Sequence, residues 1–392
     1  MVRYLTLGVN WLLVLGLSTR AVGAEDTADR LVDPQPTAAQ RELVQQLGDS
    51  TYVVRDAAEK KLVSQGLAAK GVLMEALNDA DLEVRIRVHH ILACVLQSEL
   101  EARLTAFIDD AEGKEDHGLP GWKRYKDAVG GDRDARKLFA EMVRSEASLL
   151  SACEKGSAEL PQLFAFRVAS LQPNVAGGIN QTNEIPPQTM ATLLLIGSDK
   201  AVGQNSLGMS QLYSLLNQQP VQQAITGGKH TSVLVKLLEE WVTSGTSTTS
   251  HYGMMLALKY DLQKAALQQA KKIISQRTTS TSMLQYAIIA IGKYGGEEHI
   301  PLLKSLLENK TVCHTWSNQA LKKNGSIKIE VRDVALVILL RLLGKDPAQY
   351  GFKLLRESPD TLYYVYTFGF IEDKEREAAH AKWTEESKME AE

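Results

Sequence analysis

A few short stretches of this 392-residue chain hold side chains that could do chemistry. TGGKHTS at 226–232 offers a glycine-rich turn and Lys229 to a phosphate. A phosphate loop needs Ser or Thr directly after its lysine and a strand before the first glycine. His230 stands in that place and no strand pattern precedes, so the stretch is read as a turn leading into a helix. EGKEDHG at 112–118 presents Glu112, Glu115, Asp116 and His117 to a divalent cation. Charged linkers of this kind are normally solvated, and no metal is assigned to it. His89 and His90 are adjacent on one helical pattern, so they face different directions and cannot share an ion. Cys313-His314 is too small a set for zinc, which takes at least three protein ligands. The chain has no GxSxG, HExxH or CxxC motif and no GxGxxG after a strand. No catalytic residue and no cofactor are therefore assigned. Sequons at Asn180, Asn309 and Asn324 matter only in a host that glycosylates them.

The elements that would position such residues are helical. A hydrophobic fraction of 44% with 23% charged residues suits a large folded core. Abundant Leu, Ala, Glu, Gln and Lys, with only 6% aromatics, indicate an all-α chain. The N-terminus carries Arg3, an apolar run over Val9 to Leu17, then small residues ending at Ala24. That order is the pattern of a secretory signal, with cleavage expected after Ala24 and retention as an N-terminal anchor the alternative, a linker over 25–38, and export to the periplasm or beyond the cell. The apolar run is shorter than the ~18 residues that span a bilayer, so no membrane span is expected once it is removed. Of the 44 basic residues the segment holds two, and none of the 47 acids, which leaves the mature chain at net −5. This balance gives no electrostatic case for nucleic acid. Cys94, Cys153 and Cys313 are too few and too scattered for a disulfide framework, and Cys94 is read as a small buried hydrophobe.

A repeat gives the architecture. LVQQLGDSTYVVRDAAEKKL from Leu43 and LMEALNDADLEVRIRVHHIL from Leu73 align at an offset of 30. Leu43 matches Leu73, Leu47 Leu77, Asp49 Asp79, Val54 Val84, Arg55 Arg85 and Leu62 Leu92. Each unit reads as a helix, a turn opened by Asp, and a second helix. Such a unit must stack on a neighbour to bury its face. A second joint is read in MLQYAIIAIGKYGGEEHIPLLKSLLENK, where Gly295-Gly296 separates two helices. Asn309 stands there for the turn acid, and the Val-Arg pair returns at Val331-Arg332. Val331 follows Asn309 by 22 positions rather than five, an insertion of 17 over 310–330. Asn324-Gly325 with alternating Ile327 and Ile329 predicts a short β-hairpin near 318–330. Trp316, with Lys322, Lys323 and Lys328, is the candidate recognition group there, suited to an acidic or carbohydrate-like partner.

These stretches resemble HEAT repeats, over 39–98 and 283–344. The resemblance implies an α-α superhelix of helical pairs with a concave binding face. It also implies that Asp49, Arg55, Asp79, Arg85 and Arg332 are structural, the Asp and Arg linking adjacent repeats. The signal, LPGW…ARKLF, VRDVAL…GKDPAQYGF and FGF…REAAHAKW together resemble exported HEAT-like proteins of planctomycete bacteria. Region 39–112 is thus expected to hold the N-terminal repeats and 283–392 a C-terminal HEAT-like region. Between them, 113–282 is irregular, with a turn-rich connector at 119–131 carrying Trp122, Arg124 and Tyr125 as further binding candidates. Asp132 is placed to cap DARKLFAEMVRSEASLL, and QPNVAGGINQTNEIPPQ at 172–188 marks a boundary or loop. The function expected is a scaffold that binds a protein, peptide or glycan. The alternative is a hydrolase or metal-assisted enzyme whose site is assembled from distant residues.

Overall fold

A computed structural model of the protein describes residues 35–110, 112–115, 117–172, 185–244, 247–276, 280–316 and 326–389. The signal segment, most of the linker, Lys322, Lys323 and the Asn324-Gly325 turn lie outside the described residues. The described chain is 71% helix and 4% strand, so the all-α class holds, with strand confined to two small two-stranded sheets. It divides into two compact units. One runs to Leu160 and includes Pro186–Thr192; the other comprises Pro161–Ile185 and Leu193–Glu392.

The first unit opens with α1 (Ala38–Gln46), α2 (Tyr52–Ser64), the short α3 (Lys70–Glu75) and the long α4 (Leu82–Asp109). Thr37 and Gln40 form a capping box that satisfies two free N–H groups at the start of α1. The 30-residue repeat is visible in the packing: Leu43 and Leu73 are both buried, and Leu62 and Leu92 are fully so. It is visible again in the turns. Asp49 Oδ1 accepts from the N–H of Thr51 at 2.7 Å, and Asp79 Oδ1 from that of Asp81 at 2.8 Å. Arg55 Nη1 donates to the Asp49 and Ser50 carbonyls at 2.7 and 3.1 Å, and Arg85 Nη1 to those of Asp79 and Ala80 at 2.6 and 3.1 Å. Each arginine thus ties the turn of its own unit. The expected link between repeats is a separate contact, Arg55 Nε to Glu83 at 3.3 Å.

The connector at 119–131 is largely helix, α5 (Trp122–Val129), rather than a turn-rich strip. Gly121 at φ +83° and Gly130 at φ +99° bracket the helix, so the turn residues mark its ends. Asp132 caps α6 (Arg133–Glu154) by accepting from the Ala135 N–H at 2.8 Å. Helices α7 (Leu160–Ser170) and α8 (Pro187–Gly197) flank loop 172–188, of which residues 173–184 are not described.

The second unit continues through α9 (Lys200–Gly203), α10 (Ser206–Leu216), α11 (Gln219–Gly227) and α12 (Thr231–Thr243). TGGKHTS is the turn between α11 and α12, with no strand before it. Next come α13 (Ser247–Lys259), α14 (Gln263–Ser275), α15 (Thr281–Tyr294) and α16 (Ile300–Lys304). Then follow β1 (Val312–Trp316), β2 (Ile327–Glu330), α17 (Val331–Leu342), β3 (Glu357–Ser358), β4 (Leu362–Tyr363) and α18 (Asp373–Met389). Helix α17 is buried on every side from Val331 to Leu340. Gly292 lets α15 approach it: a Cβ there would sit 2.5 Å from Ile338 Cδ1. Among the described residues no helix is long and apolar enough to cross a membrane.

Candidate functional site

The insertion at 310–330 is built on an unbroken repeat joint. Asn309 Oδ1 accepts from the Thr311 N–H at 3.0 Å, the bond that Asp49 and Asp79 make in their turns. The Val331 N–H then donates to the Thr311 carbonyl at 3.0 Å, as Val54 does to Thr51 at 3.1 Å. The added chain leaves after Thr311 and re-enters at Val331 without disturbing the start of α17. Asn supplies the same acceptor geometry as Asp, without the charge.

Strands β1 and β2 are antiparallel, pairing Trp316 with Ile327, Thr315 with Lys328 and His314 with Ile329. The hairpin anticipated near 318–330 therefore exists, with its first strand starting earlier, at Val312. Side chains alternate across a strand, so Trp316 shares a face with Ile327 and Ile329, both buried, while Lys328 points the other way into solvent. Trp316 and Lys328 cannot form one recognition group. Trp316 instead meets Tyr366 edge to face at 5.8 Å between ring centroids. Tyr366 in turn stacks on Tyr364 at 5.6 Å, and each tyrosine is 40% exposed. Among the described residues the buried Trp316 Nε1–H has no hydrogen-bond partner. The tyrosines come from the segment after β4, which lies against the hairpin because Gly369 has no side chain: a Cβ there would stand 2.8 Å from the Lys328 carbonyl oxygen. This aromatic surface escaped sequence reasoning, although YYVYTFGF at 363–370 is the densest aromatic run in the chain.

Behind the hairpin lies a buried ionic cluster, also unforeseen. Asp333 in α17 is fully buried and Arg376 in α18 is 1% exposed. Arg376 Nε donates to both Asp333 oxygens at 3.0 and 3.1 Å, and Nη2 to the Lys328 carbonyl at 2.7 Å. Asp333 also accepts from the Glu330 N–H at 2.9 Å, and His380 Nε2 stands 3.4 Å from it. Arg332, expected with Arg55 and Arg85 to link adjacent repeats, pairs with Glu330 at 2.7 Å and Glu377 at 2.8 Å. The insertion is what supplies Glu330, so the arginine is drawn away from the turn carbonyls. Cys313 is buried beside this cluster and donates to the Ile329 carbonyl; burial pushes its thiol up to about 12, so it is a structural thiol and not a nucleophile. A charge inside an otherwise apolar run, as in VRDVALVILL, is the signal that could have revealed Asp333.

The other candidates are packing residues in the first unit. Tyr125 is fully buried, its hydroxyl donating to the Ala135 carbonyl at 3.1 Å, and burial pushes its ionisation upward. Trp122 lies in a cluster with Phe107, Tyr125 and Phe139, with the Arg136 guanidinium 5.9 Å from its ring. Arg124 Nη1 donates to Cys153 Sγ at 3.5 Å. The nearby acidic loop is organised around Asp110. That carboxylate accepts from the N–H groups of Glu115 at 3.1 Å and Lys114 at 3.3 Å, and from His117 Nε2 at 3.3 Å. His117 therefore serves Asp110, while Glu112 pairs with Lys114 in solvent. Among the described residues, no group of three or more His, Cys, Asp or Glu side chains is placed to hold a metal.

No family model, curated protein or solved structure matches the chain.

Proposed function

We propose that the protein is an exported binding scaffold, built as a superhelix of HEAT-like helical pairs. It takes a protein, peptide or glycan partner at the concave helical face and beside the inserted hairpin. The observation that supports this reading is the aromatic surface of Trp316, Tyr364 and Tyr366. Tyr364 and Tyr366 are exposed and stacked on each other, with the half-buried Trp316 edge-on behind them, and such rings offer rigid contact area at small entropic cost. The test uses the full chain in its native compartment, with a photo-crosslinking residue at Tyr366 and, separately, the variant Tyr364→Ala/Tyr366→Ala. Specific crosslinks from position 366, together with lost partner capture in the double variant, would support the reading. Capture unaffected by the double variant would place recognition elsewhere.

A further inference from the structure

In the first unit, Glu59 joins His90 and Cys94, one helical turn apart on α4, in a linear relay. Glu59 on α2 and His90 on α4 meet with His90 Nδ1 2.8 Å from Glu59 Oε1. One helical turn further along α4, Cys94 Sγ lies 3.8 Å from His90 Nε2. A carboxylate on Nδ1 fixes the tautomer that leaves the Nε2 lone pair facing the thiol. The other Glu59 oxygen accepts from Arg87, whose Nε also binds Glu83 at 2.8 Å. Arg87 thus holds Glu59 in place, with its second oxygen facing the His90 ring. The relay is reachable: the His90 side chain is 53% exposed and Cys94 is partly so.

We propose that Glu59, His90 and Cys94 form a thiol nucleophile site whose substrate class is small disulfides. The Cys94 Sγ proton passes to His90 Nε2, and the thiolate attacks one sulfur of the disulfide. An Sγ–S bond forms and the original S–S bond breaks. The departing thiolate takes the proton back from His90, so Cys94 is oxidised and the disulfide yields one free thiol. The choice of reaction follows from the backbone. Cys94 sits inside a 28-residue helix, where neighbouring N–H groups are spent on helical bonds. An acyl transfer would need such groups free to hold an oxyanion. Thiol–disulfide exchange carries its charge on sulfur and needs none. Glu59 is a positioning residue here, acting through His90. The other thiols lack this arrangement, since Cys313 is buried and Cys153 faces Arg124.

The test treats the full, reduced chain with the neutral reagent 4,4′-dithiodipyridine and assigns modified cysteines by peptide mapping. The expected result is that Cys94 reacts first, at neutral pH about tenfold or more faster than a small reference thiol. His90→Ala should slow it to the reference rate and move the midpoint of its pH–rate profile upward. Glu59→Gln should move the midpoint in the same direction by less, with helicity unchanged by circular dichroism. A Cys94 rate equal to the reference thiol, or a midpoint indifferent to His90→Ala, overturns the proposal. Should either variant unfold, the unaltered chain still decides: a midpoint below that of the reference thiol supports the relay, and one equal to it refutes it.

Discussion

At the scale of single residues, the two repeat arginines and the buried Asp333 represent opposite uses of charge. Arg85 closes its turn through two backbone carbonyls, one part-buried and one exposed. Arg85→Ala should lower stability by about 1–3 kcal/mol, the usual range for a charge-assisted bond lost from a partly buried acceptor. A denaturant midpoint equal to that of the parent chain would contradict this. Asp333 matters more, because its loss strands Arg376 in the interior. Asp333→Ala should cost roughly 3–5 kcal/mol, while Asp333→Leu with Arg376→Met should cost less than the single change. A double variant worse than the single one would show that the ion pair itself is the stabilising unit. Asp110 gives a pH test. The Glu115 N–H, then that of Lys114, hold its carboxyl down to about 2. Its folded value lies below the ordinary 3.8, so its contribution is complete above that value and is lost as pH falls through about 2. An NMR titration of the Asp110 carboxyl should show that low midpoint; a midpoint at 3.8 would mean the loop bonds are not formed.

At the scale of elements, the turns were legible and the hairpin only half so. Asp49 and Asp79 announce their joints because a turn acid followed by Val-Arg is local in sequence, and the same bond recurs at Asn309. The inward face of the hairpin was predictable from Ile327 and Ile329, yet the partner of Trp316 was not. Strand register depends on where β1 begins, and although Val312, Thr315 and Trp316 favour strand, the bulge between Val312 and His314 breaks the alternation that would fix it. The Asp333–Arg376 pair spans 43 residues with no periodic signal between its members. The packing also revises what the insertion can lose. Ile327 and Ile329 are core residues and Glu330 holds Arg332, so removing 310–330 whole should unfold the C-terminal helices. Ile329→Ala alone should cost about 2–5 kcal/mol. Trimming only 317–325 should leave the thermal midpoint near that of the parent. If the whole deletion kept that midpoint, the hairpin would not belong to the core.

At the scale of the molecule, composition made the all-α class legible from the start, because leucine-rich helical periodicity persists even where the repeat signature fades. Proline and glycine mark a boundary or loop at 172–188, and the two units divide near residues 160–193. Helix α8 is buried throughout from residue 189 to 197, which hides its periodicity, whereas α7 buries only Leu160, Phe164 and Val168 and exposes Leu163 and Phe166. Export is the expectation at this scale that experiment reaches most directly. N-terminal sequencing of the chain recovered from its native compartment should begin at Glu25. Recovery of the full precursor from the cytoplasm would remove the basis for an exported scaffold.

The joint at Thr311 and Val331 has a further consequence for how such a chain can change over generations. The Val331–Thr311 bond and the paired strands β1 and β2 close the joint, so this stem isolates the helices from whatever stands between 317 and 325. The penalty for a longer tip grows only with the logarithm of its length, about 0.6 kcal/mol per doubling. The position is thus a neutral point for insertion. Foreign segments of several lengths placed between 317 and 325 should display on the surface while the helices beneath keep one melting temperature, which makes this joint a natural port for grafting recognition sequences.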